Sequence, residues 1–242
     1  MFLDRISESG ERKLWDAGIT DWDKFHSAAN IPGVVGARKT LYSMQLKRAE
    51  NALNDGDYSY FVDKMPCAHM YRLYPFLRDS KVFLDIETTG YHGDITVIGL
   101  YDGENVMSFV RGFNLDKEIF MSTMARYKQV ITFNGASFDL PMIRKYFGMD
   151  FPQVHIDLRH VLKRCGHSGG LKAIERKLGF KRDDDIKDVT GLEAVHLWRA
   201  WKHTGDRGHL DKLIKYNEAD IVNLKPLADY AIKELWSRTR SN

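Results

Sequence analysis

From Lys81 onward, three strand-like runs follow one another with only short links between them: KVFLDIE, ITVIGLYD and NVMSFVRGF. Each is rich in β-branched and aromatic residues, and the links TTGYHGD and GE carry turn chemistry. Links this short favour antiparallel neighbours. The pattern then alternates: a helix over Asp116–Tyr127, a strand VITFNG, a helix over Phe138–Phe147 and a strand VHIDLRH. Three strands followed by alternating helix and strand predict an α/β fold, a mixed five-stranded sheet flanked by helices, with the first strand near its centre. Helices are then expected over Leu171–Leu178, over Gly191–Lys202 behind a capping box of Thr190 and Glu193, and from Leu210 to the end. Pro226 should kink or divide the last of these.

Residues 1–80 read differently. Short helices over Glu11–Ala17 and Trp22–Ala29 and a longer one over Arg38–Asn54 give a small helical region in which eleven acids cancel eleven bases. We therefore expect a helical N-terminal region over 1–80 and a main domain over 81–242. At 242 residues, 43% apolar and 29% charged, the chain is long enough to bury a core without disulfides. Cys67 and Cys165 fit no metal spacing, which points to reduced thiols. The acidic N-terminus is unlike a signal peptide and no run is apolar enough to span a membrane, so a cytoplasmic protein is expected. The net charge of +3 says little by itself about partners.

Four acids sit oddly in their elements. Along KVFLDIE, alternation puts Phe83, Asp85 and Glu87 on one face and Leu84 and Ile86 on the other. Carboxylates about 6–7 Å apart on one face repel unless a cation lies between them; a solvated edge strand is the bland alternative. Asp220 falls on a helical stripe with Leu213, Asn217 and Leu224, one turn after Tyr216. Such an acid needs either a metal or an arginine from elsewhere. Asp139 opens a helix just after ITFNG, where the helix dipole alone would favour an acid. Together, the four carboxylates make an all-oxygen donor set suited to Mg²⁺ or Mn²⁺ rather than zinc.

The motifs resemble those of the DnaQ-like, RNase H-like 3′–5′ exonucleases. FLDIETTG is similar to the first motif of that family, NGASFD to the second, and YNEAD to the tyrosine form of the third, which marks the DEDDy branch. SGGLKAIERKLGF and, less specifically, LWDAGITDW resemble the YprB-like subgroup. The resemblance spans Val82 to Asp220. It implies an RNase H-like domain in which Asp85, Glu87, Asp139 and Asp220 hold two divalent ions, Mg²⁺ or Mn²⁺. Tyr216 would orient the attacking water, and the product would be nucleoside 5′-monophosphates. The implied partner is nucleic acid with a free 3′ end, single-stranded DNA ahead of RNA. Thr88, Thr89 and Gly90 in the turn and Asn134 in the second motif are candidate substrate contacts; Phe138 fits core packing better.

Residues 159–182 carry eight bases against one acid, and Lys172 and Arg176 share one face of their helix, which makes them candidate strand contacts. His155, Asp157 and Arg159 alternate along the last strand and fit a local charge pair. IPGVVGARK resembles the hairpin of helix-hairpin-helix modules with one extra residue between its glycines, and an ordinary helix-linking turn is the alternative. The competing functions are an RNase H-like or structure-specific endonuclease and a catalytically inactive nucleic-acid-binding module.

Overall fold

A computed structural model of the chain describes residues 3–62, 64–90 and 93–241. Five strands form one sheet in the order β3-β2-β1-β4-β5: β1 (Lys81–Thr88), β2 (Ile95–Tyr101), β3 (Val106–Val110), β4 (Gln129–Thr132) and β5 (Val154–Asp157). β1 pairs antiparallel with β2 and parallel with β4, while β2–β3 is antiparallel and β4–β5 parallel. The mixed sheet with β1 at its centre is the architecture expected from the sequence. Along β1, Val82, Leu84 and Ile86 pack on one face against Phe120, Met124 and Ile143. These come from α5 (Lys117–Met124) and α6 (Asp139–Phe147). Phe83 points the other way, into a cluster with Leu224, Leu227 and Ala228. The alternation of KVFLDIE thus separates two cores, and the acids share the face of Phe83.

That second face is covered by a helix of 35 residues, α10 (Arg207–Ser241), whose buried positions Leu213, Asn217, Asp220, Leu224 and Leu227 recur every three or four residues. Of the kink or break expected at Pro226, the break does not occur, and the helix runs through the proline. Proline removes the hydrogen bond to the carbonyl four residues earlier, and here that carbonyl belongs to Val222, an exposed residue. Leu224, Leu227, Ala228 and Ala231 hold both sides of the proline against the core. The strand expected over VHIDLRH is also shorter: β5 stops at Asp157, which caps α7 (Leu158–Arg164) by accepting from Arg159 N–H at 3.0 Å. Arg159 is therefore on a helix and does not alternate with Asp157 along a strand.

The chain continues through α8 (Leu171–Leu178) and α9 (Gly191–Thr204), which begins with the expected Thr190/Glu193 capping box. The N-terminal segment folds as α1 (Glu8–Asp16), α2 (Trp22–Ser27), α3 (Ala37–Asn54), α4 (Ser59–Val62) and a 3₁₀ stretch over Cys67–Phe76. Its first part has a core of its own around Phe25, Tyr42 and Leu46. From Ala49 on, its apolar side chains belong to the same core as Phe83 and α10. IPGVVGARK forms a tight helix-linking turn: Ile31 bridges Val34, and Gly36, at φ 51°, precedes α3. Both cysteines are free. No helix among the described residues is long and apolar enough to cross a membrane.

Candidate active site

β1 and α10 bring the acids together. A carboxylate oxygen from each of Asp85, Glu87 and Asp220 lies within 4.8 Å of the others. The β1–β2 register shifts between Glu87 and Thr88, so the strand is irregular where the acidic face ends. Asp139 stands beside this group rather than in it. Pairing of β1 with β4 stops at Phe83, so the Ile86 N–H has no strand partner on that side; it donates instead to Asp139 Oδ1 at 3.0 Å. Burial first, then the neighbouring acids, pushes Asp85 and Glu87 well above the usual carboxylate range. Burial also raises Asp139 and Asp220. Tyr216 is raised by burial and by Asp220, to which its hydroxyl donates. It is a phenol held protonated.

Several residues at the site are not among the candidate site residues of the sequence. Asn217 is fully buried and donates from Nδ2 to Asp85 Oδ2 at 2.9 Å. Gly99 on β2 makes the room: a Cβ there would come within 2.1 Å of Asn217 Oδ1. Arg182 is buried, binds Glu175 through two hydrogen bonds of 2.7 Å and is ion-paired with Asp220. Glu175 is held further by Asn223 Nδ2 at 3.0 Å. The arginine partner that the sequence allowed for Asp220 is thus present, alongside the acidic cluster rather than instead of it.

Asp157 has another role than the local charge pair expected of it. Its two oxygens accept from Asn134 N–H at 2.8 Å and Ala136 N–H at 3.1 Å, besides capping α7. That carboxylate fixes the turn that delivers Asp139, so its role is not a local charge pair. Asn134 sits in this turn at φ 68°, a left-handed conformation uncommon outside glycine. Its side-chain oxygen accepts from Ser137 and Arg159. Thr88 and Gly90 bond each other through the Thr88 hydroxyl, and Thr89 Oγ1 accepts from Asp94 N–H. Gly90, at φ 143°, adopts a conformation that suits glycine.

The basic stretch is not the single strand-binding face expected of it. Arg159 binds Asn134, Arg164 binds the Ala68 carbonyl and Glu8, and Arg182 is internal. Lys163, Arg176, Lys177 and Lys181 are exposed. Lys172 turns inward, with Nζ 4.6 Å over the Tyr216 ring and no hydrogen-bond partner among the described residues.

The donor set suits hard divalent cations, since every candidate ligand is a carboxylate. The charge balance agrees. Asp85, Glu87, Asp139, Asp220 and Glu175 are set against Arg182 and Lys172, so five acids against two cations leave a formal −3 to be neutralised.

A family model described as the RNase_H superfamily matches residues 82–232. No curated protein matches the sequence. Among solved structures, the chain is similar to Escherichia coli RNase D, an exoribonuclease involved in structured RNA processing, at 20% identity and a TM-score of 0.50, covering 69% of this chain and 43% of that one. It is similar to the family B DNA polymerase of the hyperthermophilic archaeon Pyrobaculum calidifontis at 13% identity and a TM-score of 0.51, covering 62% and 24%. A third match is Brucella melitensis NrnC, at 18% identity and a TM-score of 0.47, covering 67% of this chain and 76% of that one. The chain thus spans less than half the length of the RNase D and polymerase chains it matches.

Proposed function

Because this chain belongs to the RNase H superfamily, we propose that it is a metal-dependent 3′–5′ exonuclease of the DEDDy branch and the YprB-like subgroup. It would release nucleoside 5′-monophosphates from single-stranded ends, of DNA ahead of RNA. The observation that carries this reading is the convergence of Asp85, Glu87 and Asp220, with Asp139 anchored to β1 beside them and Tyr216 on Asp220.

Asp85, Glu87, Asp139 and Asp220 would hold two ions, Mg²⁺ or Mn²⁺. Such ions, when bound, supply an activated water and stabilise the leaving 3′ oxygen. The remaining work falls to the chain's own groups. Asn217 fixes the rotamer of Asp85. Tyr216, held protonated, acts as a hydrogen-bond donor that orients the attacking water rather than as a base. The ammonium of Lys172, which lies over the Tyr216 ring and has no hydrogen-bond partner among the described residues, would meet a phosphate oxygen, and exposed Arg176 would extend that contact outward. The Thr88–Thr89–Gly90 turn and Asn134 border the space where the terminal nucleotide would lie. In this reading 81–242 is the catalytic domain and 1–80 a helical region that supports it.

The test is a product time course on matched 5′-labelled DNA and RNA, single- and double-stranded, with and without Mn²⁺ or Mg²⁺. Stepwise loss of mononucleotides is expected, abolished by EDTA and by Asp85→Ala with the fold intact. Full activity under either condition overturns the reading. Cutting that persists when the 3′ end is blocked would identify an endonuclease instead.

A further inference from the structure

Phe113 keeps 57% of its surface exposed, although it is stacked on Trp201 with ring centroids 5.7 Å apart and planes 29° off parallel. Trp201 is backed by Trp198 at 4.8 Å. A cation lies over each ring of the pair: Arg207 is 5.3 Å from the Phe113 centroid and Lys202 is 5.3 Å from that of Trp201. Arg207 also pairs with Asp211, whereas Lys202 has no carboxylate partner among the described residues. An exposed ring backed by a half-buried one and flanked by cations is what sequence-independent binders of single strands use, because every base offers a π-face and every phosphate a charge.

The position of the pair in the fold is as telling as its chemistry. β1 leaves the sheet at Thr88 and β3 leaves it at Val110, with antiparallel β2 between them. Phe113, three residues past β3, is therefore at the same end of the sheet as Glu87, whose strand lies two strand spacings, about 10 Å, from β3. Trp201 packs against a cluster that holds Val97, Val110 and Tyr216 itself. From the same helix as Trp201, Arg199 reaches the Thr89 carbonyl at 3.4 Å. A gap of that size sets the platform apart from the acidic cluster, so it would meet bases upstream of the terminal nucleotide rather than the terminal one.

We propose that Phe113 and Trp201, with Lys202 and Arg207, form a stacking platform for bases of a single-stranded nucleic acid a few nucleotides before its 3′ end. This surface would select unpaired strands, since a stacked and paired base cannot present its face to a protein ring. It deepens the exonuclease reading and rests on it for direction, but base stacking here can be measured without any cleavage.

Wild-type, Phe113→Ala and Phe113→Tyr proteins are titrated in EDTA with a labelled oligothymidylate and with an abasic deoxyribose-phosphate strand of equal length. Wild type should bind the base-bearing strand about tenfold more tightly than the abasic one. Phe113→Ala should erase that difference, and Phe113→Tyr should keep it. In Mg²⁺, Phe113→Ala should raise KM about tenfold for the oligonucleotide at unchanged kcat, with no effect on a dinucleotide too short to reach the platform. Equal wild-type affinity for the two strands, or an undiminished base preference in Phe113→Ala, overturns the proposal. So does sedimentation showing that Phe113→Ala breaks up a dimer while oligonucleotide binding is unchanged, which would assign the patch to a second copy of the chain. Base-dependent binding without cleavage under any metal condition would retain the platform and sink only the exonuclease reading.

Discussion

Arg182 shows how a single residue can be indispensable without belonging to a motif. It neutralises two buried acids at once, Glu175 and Asp220, and its own guanidinium is buried with them. Removing one partner of a buried ion pair leaves an uncompensated charge, which costs about 3–5 kcal/mol. Arg182→Met should therefore lower stability by that order in chemical denaturation. Divalent cation should recover part of the loss in the variant, because the freed Asp220 gains a substitute counter-charge. A melting temperature in the variant that ignores added Mn²⁺ would argue against metal near Asp220. Asn217 acts at the same scale. Its amide reaches Asp85 across 132 residues of sequence, and only a glycine at 99 leaves space for it.

Among the elements, the turn between β4 and α6 is held from β5. Asp157 accepts three backbone N–H groups, two of them from the segment that positions Asp139. Asp157→Asn keeps the size but replaces one acceptor oxygen with a donor, so at least one of these amides is left unpaired at a cost of about 1–3 kcal/mol. We expect a fall in kcat greater than any change in KM, read together with a thermal melt; unchanged kcat would detach this turn from the site. Pro226 tests the long helix. Alanine there restores a backbone donor, and proline is the poorest interior helix residue by about 3 kcal/mol. Pro226→Ala should raise the denaturation midpoint at unchanged activity, whereas a fall would show that ring packing outweighs the missing bond. The sequence rule that proline ends a helix fails here because Leu224, Leu227 and Ala228 are already committed to the core on either side.

Across the whole molecule, the N-terminal segment is locked to α7 and α10 by charged and aromatic contacts. Arg164 of α7 donates to the Ala68 carbonyl at 2.6 Å and to Glu8 at 3.1 Å, and the Tyr74 hydroxyl donates to Asp229 of α10 at 2.7 Å. His69 lies in this seam, where burial lowers its pKa to about 4, only partly offset by Glu8 at 3.4 Å. An unfolded histidine titrates near 6.5, so as pH falls the unfolded chain takes up the proton first. The contribution of His69 is thus fully present above about pH 6.5 and is lost as pH falls toward 4, by at most roughly 3 kcal/mol. His155, lowered to about 4 by burial, acts in the same direction. Melting temperatures followed from neutral to acid pH should fall less steeply in His69→Gln than in wild type. Parallel curves would place the acid sensitivity elsewhere.

The sequence alone determined the order of strands and helices, the central place of the strand bearing Asp85 and Glu87, and the stripe that sets Asp220 on the buried face of its helix. These follow from periodicity and local turn chemistry, which act over a few residues. The 3₁₀ stretch over Cys67–Phe76 is not legible as a helix although its buried Met70, Leu73 and Tyr74 recur at helical spacing, because Pro66 and Pro75 bracket it within ten residues. Nor could the sequence single out Arg182 or Gly99, assign Asn217 and Asp157 their partners, or turn Lys172 inward from an apparently solvated face. Each of those side chains gains its meaning from a partner on another element, and no local rule ranks it above its neighbours. Only the tertiary structure decided which amide, which guanidinium and which missing Cβ would surround the acids.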